Sequence, residues 1–308
     1  MDRISSVVIV GAGAIGASVA AMLSDSGHAK VQVCASGERQ ERYRKEGFVV
    51  NGTRYFFPLA EKDTSRKADL VILAVKNYSL DEAIDEMKPL VGNDTIILSL
   101  LNGITAVPRL RDEFGADKVP FAMILGIDAH RHANEVQFTS KGQIFFGFEK
   151  ERIAAGESKL RVLGDFLGVC NVPYRIPEDI VKEVWFKFMM NVAVNQWSAL
   201  LRAAYSLFHR SRHARALLEQ TMAEVVNLSK KFGTGLSDDD IVRMLSILDG
   251  LPSFGRTSML QDVEAGRRTE VEAFAGTMVR LSKEAGIRCP YNEMLYQAIC
   301  ALEESYAS

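Results

Sequence analysis

In the first half of the chain, short apolar runs alternate with stretches of helical spacing. The runs fall at 6–10 (SVVIV), 31–34 (VQVC), 68–75 (ADLVILAV), 95–100 (TIILSL) and 119–125 (VPFAMIL). Each is the length of a strand and carries apolar side chains at consecutive positions, as strands buried on both faces do. Between them the spacing predicts helices, first over 14–26 and then over the charged run that ends at Gly47. This alternation predicts a parallel sheet covered on both sides. Asn51-Gly52 between β-rich flanks predicts a hairpin over 48–57, and residues 135–148 read as an antiparallel hairpin added to the sheet. After Pro173 and Pro177 the pattern becomes helical, with helices expected near 178–201, 211–232, 238–248, 257–265, 270–285 and 291–304. The fold class expected is α/β: a doubly wound, Rossmann-type domain over 1–175, then an all-α domain over 176–308.

One helical stretch breaks the pattern. WFKFMMNVAVN (185–195) is apolar except for Lys187, Asn191 and Asn195, spaced four apart. In an α-helix that spacing drifts by only about 40° per step, so the three side chains form one stripe. A helix apolar nearly all round is buried, and buried amines and amides need partners. Either Lys187 snorkels and the amides bond to a neighbouring loop, or the stripe faces a ligand.

Composition narrows the field. The chain has 308 residues, 47% hydrophobic and 25% charged, with a net charge of −2, so neither nucleic acid nor an acidic membrane is an expected partner. Cys34, Cys170, Cys289 and Cys300 show no paired spacing and fit reduced thiols in a cytoplasmic protein. The uncharged run 4–24 has the length of a secretion signal, but its glycines fit a strand, turn and helix better. His209 and His213 stand four apart with no acidic or cysteine ligand beside them, so no metal is expected.

The glycines carry the first chemistry. GAGAIG, that is Gly11, Ala12, Gly13, Ala14, Ile15 and Gly16, follows a strand and opens a helix. Gly11 suits the tight turn, Gly13 the approach of a pyrophosphate to the backbone, and Gly16 close packing of helix on strand. At the end of the second strand an acid holds the ribose of NAD and a base admits the 2′-phosphate of NADP. Here the segment reads Cys34-Ala35-Ser36-Gly37-Glu38-Arg39, with no acid at 34–37. Lys76 and Asn102-Gly103 follow two later strands, at the rim where doubly wound sheets bind ligands. Taken singly, Lys76 also fits a loop lysine and Asn102 a turn residue.

GAGAIG, the VK of 75–76, the NG of 102–103, the spacing W-F-K-x3-N-x3-N of 185–195, and SMLQDVEAGRRTEVEAFAG (258–276) together resemble the ketopantoate reductase (2-dehydropantoate 2-reductase) family. The resemblance implies a Rossmann domain joined to a helical domain, and reduction of ketopantoate to pantoate by NADPH in pantothenate biosynthesis. It implies that Lys187 is the proton donor and that Asn191, Asn195 and Ser258 hold the substrate. Asn102 would touch substrate and cofactor, and Lys76 and Glu270 would contact the cofactor or stabilise the closed site. Three positions depart from the family pattern. Ser36 stands where a basic residue commonly follows the second strand, Leu101 where glutamine commonly precedes NG, and 126–136 lacks the common threonine-rich form.

The chemistry is also consistent with the residues taken alone. Hydride addition to a ketone builds negative charge on oxygen, which a positioned ammonium can stabilise and protonate. An apolar wall lowers the pKa of Lys187, and a carboxylate such as Glu270 opposes that shift. Apart from the resemblance, Glu270 also fits a solvated carboxylate at a helix start, and Ser258 a helix cap. The expected function is NADP-dependent reduction of a 2-oxo acid, with ketopantoate foremost and a homodimer as a candidate assembly. Another 2-oxo acid, or an opine-type dehydrogenase on the same architecture, is the neighbouring reading. A non-catalytic dinucleotide sensor is a reading of a different class, and it would have no use for Lys187.

Overall fold

The computed structural model describes residues 3–61 and 67–307. The chain divides into two units, Met1–Leu101 with Ala106–Val181, and Asn102–Thr105 with Lys182–Ser308.

In the first unit, β1 (Ser6–Val10) sits between β2 (Lys30–Cys34) and β5 (Leu70–Leu73), and β6 (Ile96–Ser99) lies beyond β5. All three pairings are parallel. Side chains alternate between two cores, as the strand period of two requires. Val7, Ile9, Leu70, Ile72, Ile96 and Leu98 join the core of α1 (Ala14–Ser26) and α5 (Ile153–Val169). Val8, Val10, Val71, Leu73 and Ile97 join that of α3 (Leu80–Met87) and α4 (Ala106–Phe114). Two covered faces explain why these strands are apolar at every position.

The turn expected at Asn51-Gly52 forms, between β3 (Phe48–Val50) and β4 (Thr53–Tyr55). Both turn residues have positive φ, 47° and 81°, which suits the right-handed twist of a two-residue hairpin. The hairpin expected over 135–148 does not form. Instead β9 (Glu135–Gln137) pairs with β3 and with β8 (His130–His132), while β10 (Lys141–Gly147) pairs with β7 (Phe121–Ile127) and with β11 (Tyr174–Arg175). Asp128 is the physical reason. Its carboxylate accepts from the backbone N–H groups of Thr139 and Ser140, both at 2.8 Å, and so holds a corner between the two strands. Gly142, at φ 64°, completes it; a Cβ there would lie 2.7 Å from the Ile127 nitrogen.

The second unit contains no strand among the described residues. It runs from α6 (Ile180–Met190) through α7 (Gln196–Leu200), α8 (Tyr205–Arg210), α9 (Arg212–Ser229) and α10 (Asp238–Asp249) to α11 (Ser258–Glu264), α12 (Ala275–Ala285) and α13 (Pro290–Glu304). Helix α8 has no counterpart in the sequence reading. His209 in α8 is hydrogen-bonded to the Leu248 carbonyl at 2.8 Å, and so ties α8 to α10. Glu224, buried on α9, accepts from the backbone N–H groups of Tyr291 and Asn292 at 2.8 and 3.0 Å, which satisfies the start of α13.

Candidate active site

In the first unit the glycine loop links β1 to α1. Gly11 has φ 90°, and a Cβ there would lie 2.7 Å from the Val75 nitrogen. A Cβ on Gly16 would lie 2.1 Å from the Gly11 carbonyl oxygen, so both positions exclude side chains on packing grounds. Gly13 differs, because nothing lies within 4 Å of where its Cβ would be. It therefore presents bare backbone to open space at the start of α1, where no side chain caps the helix and the first turn has no acid. Uncapped N–H groups beside a missing side chain fit a dinucleotide pyrophosphate. Ala12 is buried, while Ala14 and Ile15 are half-buried at the entry to the helix. Lys76 is half-buried just past β5 and immediately precedes a short 3-10 turn, Asn77–Ser79, without capping it.

The corner past the end of β2 is more crowded than the sequence suggests. Ser36 precedes α2 (Gly37–Glu46) without capping it. Its hydroxyl donates instead to Glu86 of α3. Arg39 donates to Glu82 at 2.6 Å and reaches Glu86 at 3.5 Å. Glu38 is exposed.

In the second unit the polar stripe lies on α6 and its continuation. Residues Asn191–Asn195 form a π-helical turn between α6 and α7. The i→i+5 pattern winds through a smaller angle per residue than an α-helix, so over four residues it reverses the drift and brings Asn195 back toward the line of Lys187. Gln196 supports the turn: its amide donates to the Val192 carbonyl at 2.7 Å and accepts from the Ala275 N–H at 3.1 Å. Lys187, Asn191 and Asn195 are all buried. Asn195 Nδ2 donates to Asn191 Oδ1 at 3.1 Å, while Asn191 Nδ2 is buried without a hydrogen-bond partner among the described residues.

Glu270 belongs to the same unit. It is buried rather than solvated, and precedes a 3-10 turn, Val271–Ala273; the helix expected from 270 begins only at Ala275. Its Oε2 accepts from Asn102 Nδ2 at 3.1 Å. Gly103, at φ 88°, provides the bend after Asn102. Burial lowers the pKa of Lys187 to about 8, and the charge of Glu270 opposes the shift. An amine that titrates there can hold a proton at neutral pH and release it readily. Ser258 is exposed at the start of α11, and the cap of that helix is Thr257, whose hydroxyl accepts from Leu260 N at 3.1 Å. The structure thus brings Lys187, Asn191 and Asn195 into one stripe, and Asn102 against Glu270. Glu86 and Gln196 were missed by the sequence reading. The i, i+4 spacing of Glu82 and Glu86 was the available signal for the first; none marked the second.

Comparison with known proteins gives the class first: an enzyme of an oxidoreductase family. Residues 7–150 match the family model "Ketopantoate reductase PanE/ApbA", and residues 179–303 its C-terminal counterpart. The chain belongs to the ketopantoate reductase family. It is 26% identical over 307 residues to the 2-dehydropantoate 2-reductase of Aquifex aeolicus, covering 96% of each chain. The solved 2-dehydropantoate 2-reductase of Geobacter metallireducens is 26% identical, with a TM-score of 0.80 over 97% of this chain and 99% of that one. A D-mandelate dehydrogenase solved with NADH and anilino(oxo)acetate shares the fold, with a TM-score of 0.88 at 22% identity over 98% of this chain and 99% of that one. Among the described residues no helix is long and apolar enough to cross a membrane.

Proposed function

We propose that the protein reduces the ketone of a 2-oxo acid to the 2-hydroxy acid, with ketopantoate as the first candidate and a nicotinamide dinucleotide as hydride donor. The observation that carries this reading is the stripe: a buried lysine with a pKa of about 8, in line with a buried amide donor that has no partner among the described residues. A bound dinucleotide would supply the hydride. Residues 1–175 would hold it, through the glycine loop, Ser36 and Lys76, and residues 176–308 would carry the substrate side chains. Lys187 donates a hydrogen bond to the ketone oxygen and passes its proton there as negative charge develops. Asn191 Nδ2 supplies a neutral donor to a substrate oxygen, and Asn195 fixes the orientation of Asn191. Ser258, exposed at the start of α11, is proposed to contact the substrate carboxylate. Asn102 and Glu270 hold the charge environment of Lys187 and contact the cofactor.

NADPH is the donor implied by the resemblance, and the residues at the ribose end bear directly on that choice. The reading includes a cytoplasmic location. It also includes pairing with a second copy, for which Val242 and Phe254 are exposed apolar side chains; sedimentation measures that. The decisive assay follows oxidation of NADPH and of NADH against a panel of 2-oxo acids that includes ketopantoate. Turnover of ketopantoate well above the others supports the reading. Selective turnover of a different 2-oxo acid replaces the substrate, and no turnover of any removes the activity.

A further inference from the structure

The ribose of a dinucleotide is read just past the second strand of the fold, and the residue type there separates NAD from NADP. Residues 34–37 offer no acid. Folding nevertheless brings one to this corner. The backbone carbonyl of Glu86 lies 3.8 Å from Cys34 Sγ, at the end of β2, and its carboxylate accepts from Ser36, two residues further on. Glu86, Glu82 and Arg39 line the same pocket as Gly11 and Ala12 of the glycine loop. Glu82 and Glu86 are one turn apart on α3 and so share a face.

The balance of charge then decides what this corner accepts. Arg39 supplies the guanidinium of the pocket wall, and it already reaches both carboxylates. Two carboxylates and one guanidinium leave the wall negative. A 2′-phosphate would bring roughly two further negative charges, as a phosphate monoester does near neutral pH. It would have to draw Arg39 away from both partners while standing against Glu86, whose side chain is only 11% exposed and therefore weakly screened. A free 2′-hydroxyl, by contrast, can donate to Glu86, and the Ser36 hydroxyl holds that carboxylate in orientation. We propose that Glu86 is the ribose-reading acid of this protein, supplied by α3 instead of the loop after β2, and that it makes the protein select NADH over NADPH. The inference rests on the dinucleotide reading above and specifies its cofactor.

The test is equilibrium binding, followed by calorimetry and by quenching of protein fluorescence. NADH is compared with NADPH, and 5′-AMP with 2′,5′-ADP to isolate the adenosine end. The wild type should bind NADH and 5′-AMP about tenfold or more tightly than their 2′-phosphorylated counterparts, the scale of one like-charge juxtaposition. Glu86→Gln keeps an acceptor for Ser36 and removes the charge, and should bring each pair to within roughly threefold, chiefly by tightening the phosphorylated member. Ser36→Arg should move the ratio the same way. Tighter binding of NADPH by the wild type overturns the inference and needs no variant to be read. An unchanged ratio in Glu86→Gln with an unchanged melting temperature also overturns it. Binding of neither dinucleotide overturns it together with the cofactor reading itself, whereas NADPH preference leaves that reading standing.

Discussion

Asn195 Nδ2 donates to Asn191 Oδ1 at 3.1 Å, and that bond fixes which end of the Asn191 amide is left over. The remaining group, Nδ2, is buried with no acceptor among the described residues. A buried donor without a partner is costly in a core but useful in a pocket, where a ligand oxygen can complete it. Asn191→Ala should therefore raise KM for the 2-oxo acid about tenfold or more, the loss of one good hydrogen bond, with a small effect on melting in the absence of ligand. Asn195→Ala should also raise KM, by releasing the orientation of Asn191. A large fall in melting temperature with unchanged KM in both variants would make the stripe structural.

Lys187→Ala should lower kcat by roughly 10²–10⁴-fold, the usual contribution of a positioned acid. The dinucleotide Kd, measured by calorimetry, should stay close to that of the wild type, because Lys187 makes none of the proposed dinucleotide contacts. Near-wild-type turnover would remove Lys187 as the proton donor.

The pH dependence has a definite sign. Lys187 donates as the ammonium, so the rate of reduction should fall as pH rises through about 8. Burial is the main cause of the low value, and the charge of Glu270 opposes it. Glu270→Gln removes the opposing charge, so the falling limb should move to lower pH. A shift to higher pH would show that Glu270 does not stabilise the ammonium.

Stability carries the same linkage. The Lys187 pKa in the folded protein lies below its ordinary 10.5, so between about pH 8 and 10.5 the unfolded chain binds more protons than the folded one. The contribution of this group to stability therefore rises with pH across that window, and its full penalty stands below about 8. The melting temperature of Lys187→Met relative to wild type should be highest below pH 8 and decline as pH rises. A difference that does not vary with pH would contradict a depressed lysine.

Two glycines three residues apart should respond differently to the same change. Gly13→Ala meets nothing within 4 Å, so melting should be near that of the wild type while dinucleotide Kd rises. Gly16→Ala places its Cβ 2.1 Å from the Gly11 carbonyl oxygen and should lower the melting temperature by several degrees as well as weaken binding. Unchanged Kd in Gly13→Ala would mean that no pyrophosphate approaches this backbone.

What the sequence determined by itself was local or periodic. Continuous apolar strands such as Leu70–Leu73 announced a sheet covered on both faces, because burial on two sides leaves no position for a polar residue. Glycines with fixed spacing announced the loop, because backbone conformation and close approach act within a few residues. The 185–195 stripe was visible because one helix face carries its own record in the spacing. Tertiary structure alone decided the rest. The corner held by Asp128 broke an expected hairpin, since hydrogen bonds from residue 128 to residues 139 and 140 have no periodic trace. The π turn under Asn191 depends on Gln196 and on Ala275, nearly eighty positions away. The acid at the ribose corner came from Glu86, fifty positions beyond Ser36. A reading that looks for a charge only where the chain passes cannot see one delivered across space, and electrostatics depends on distance in space rather than along the chain.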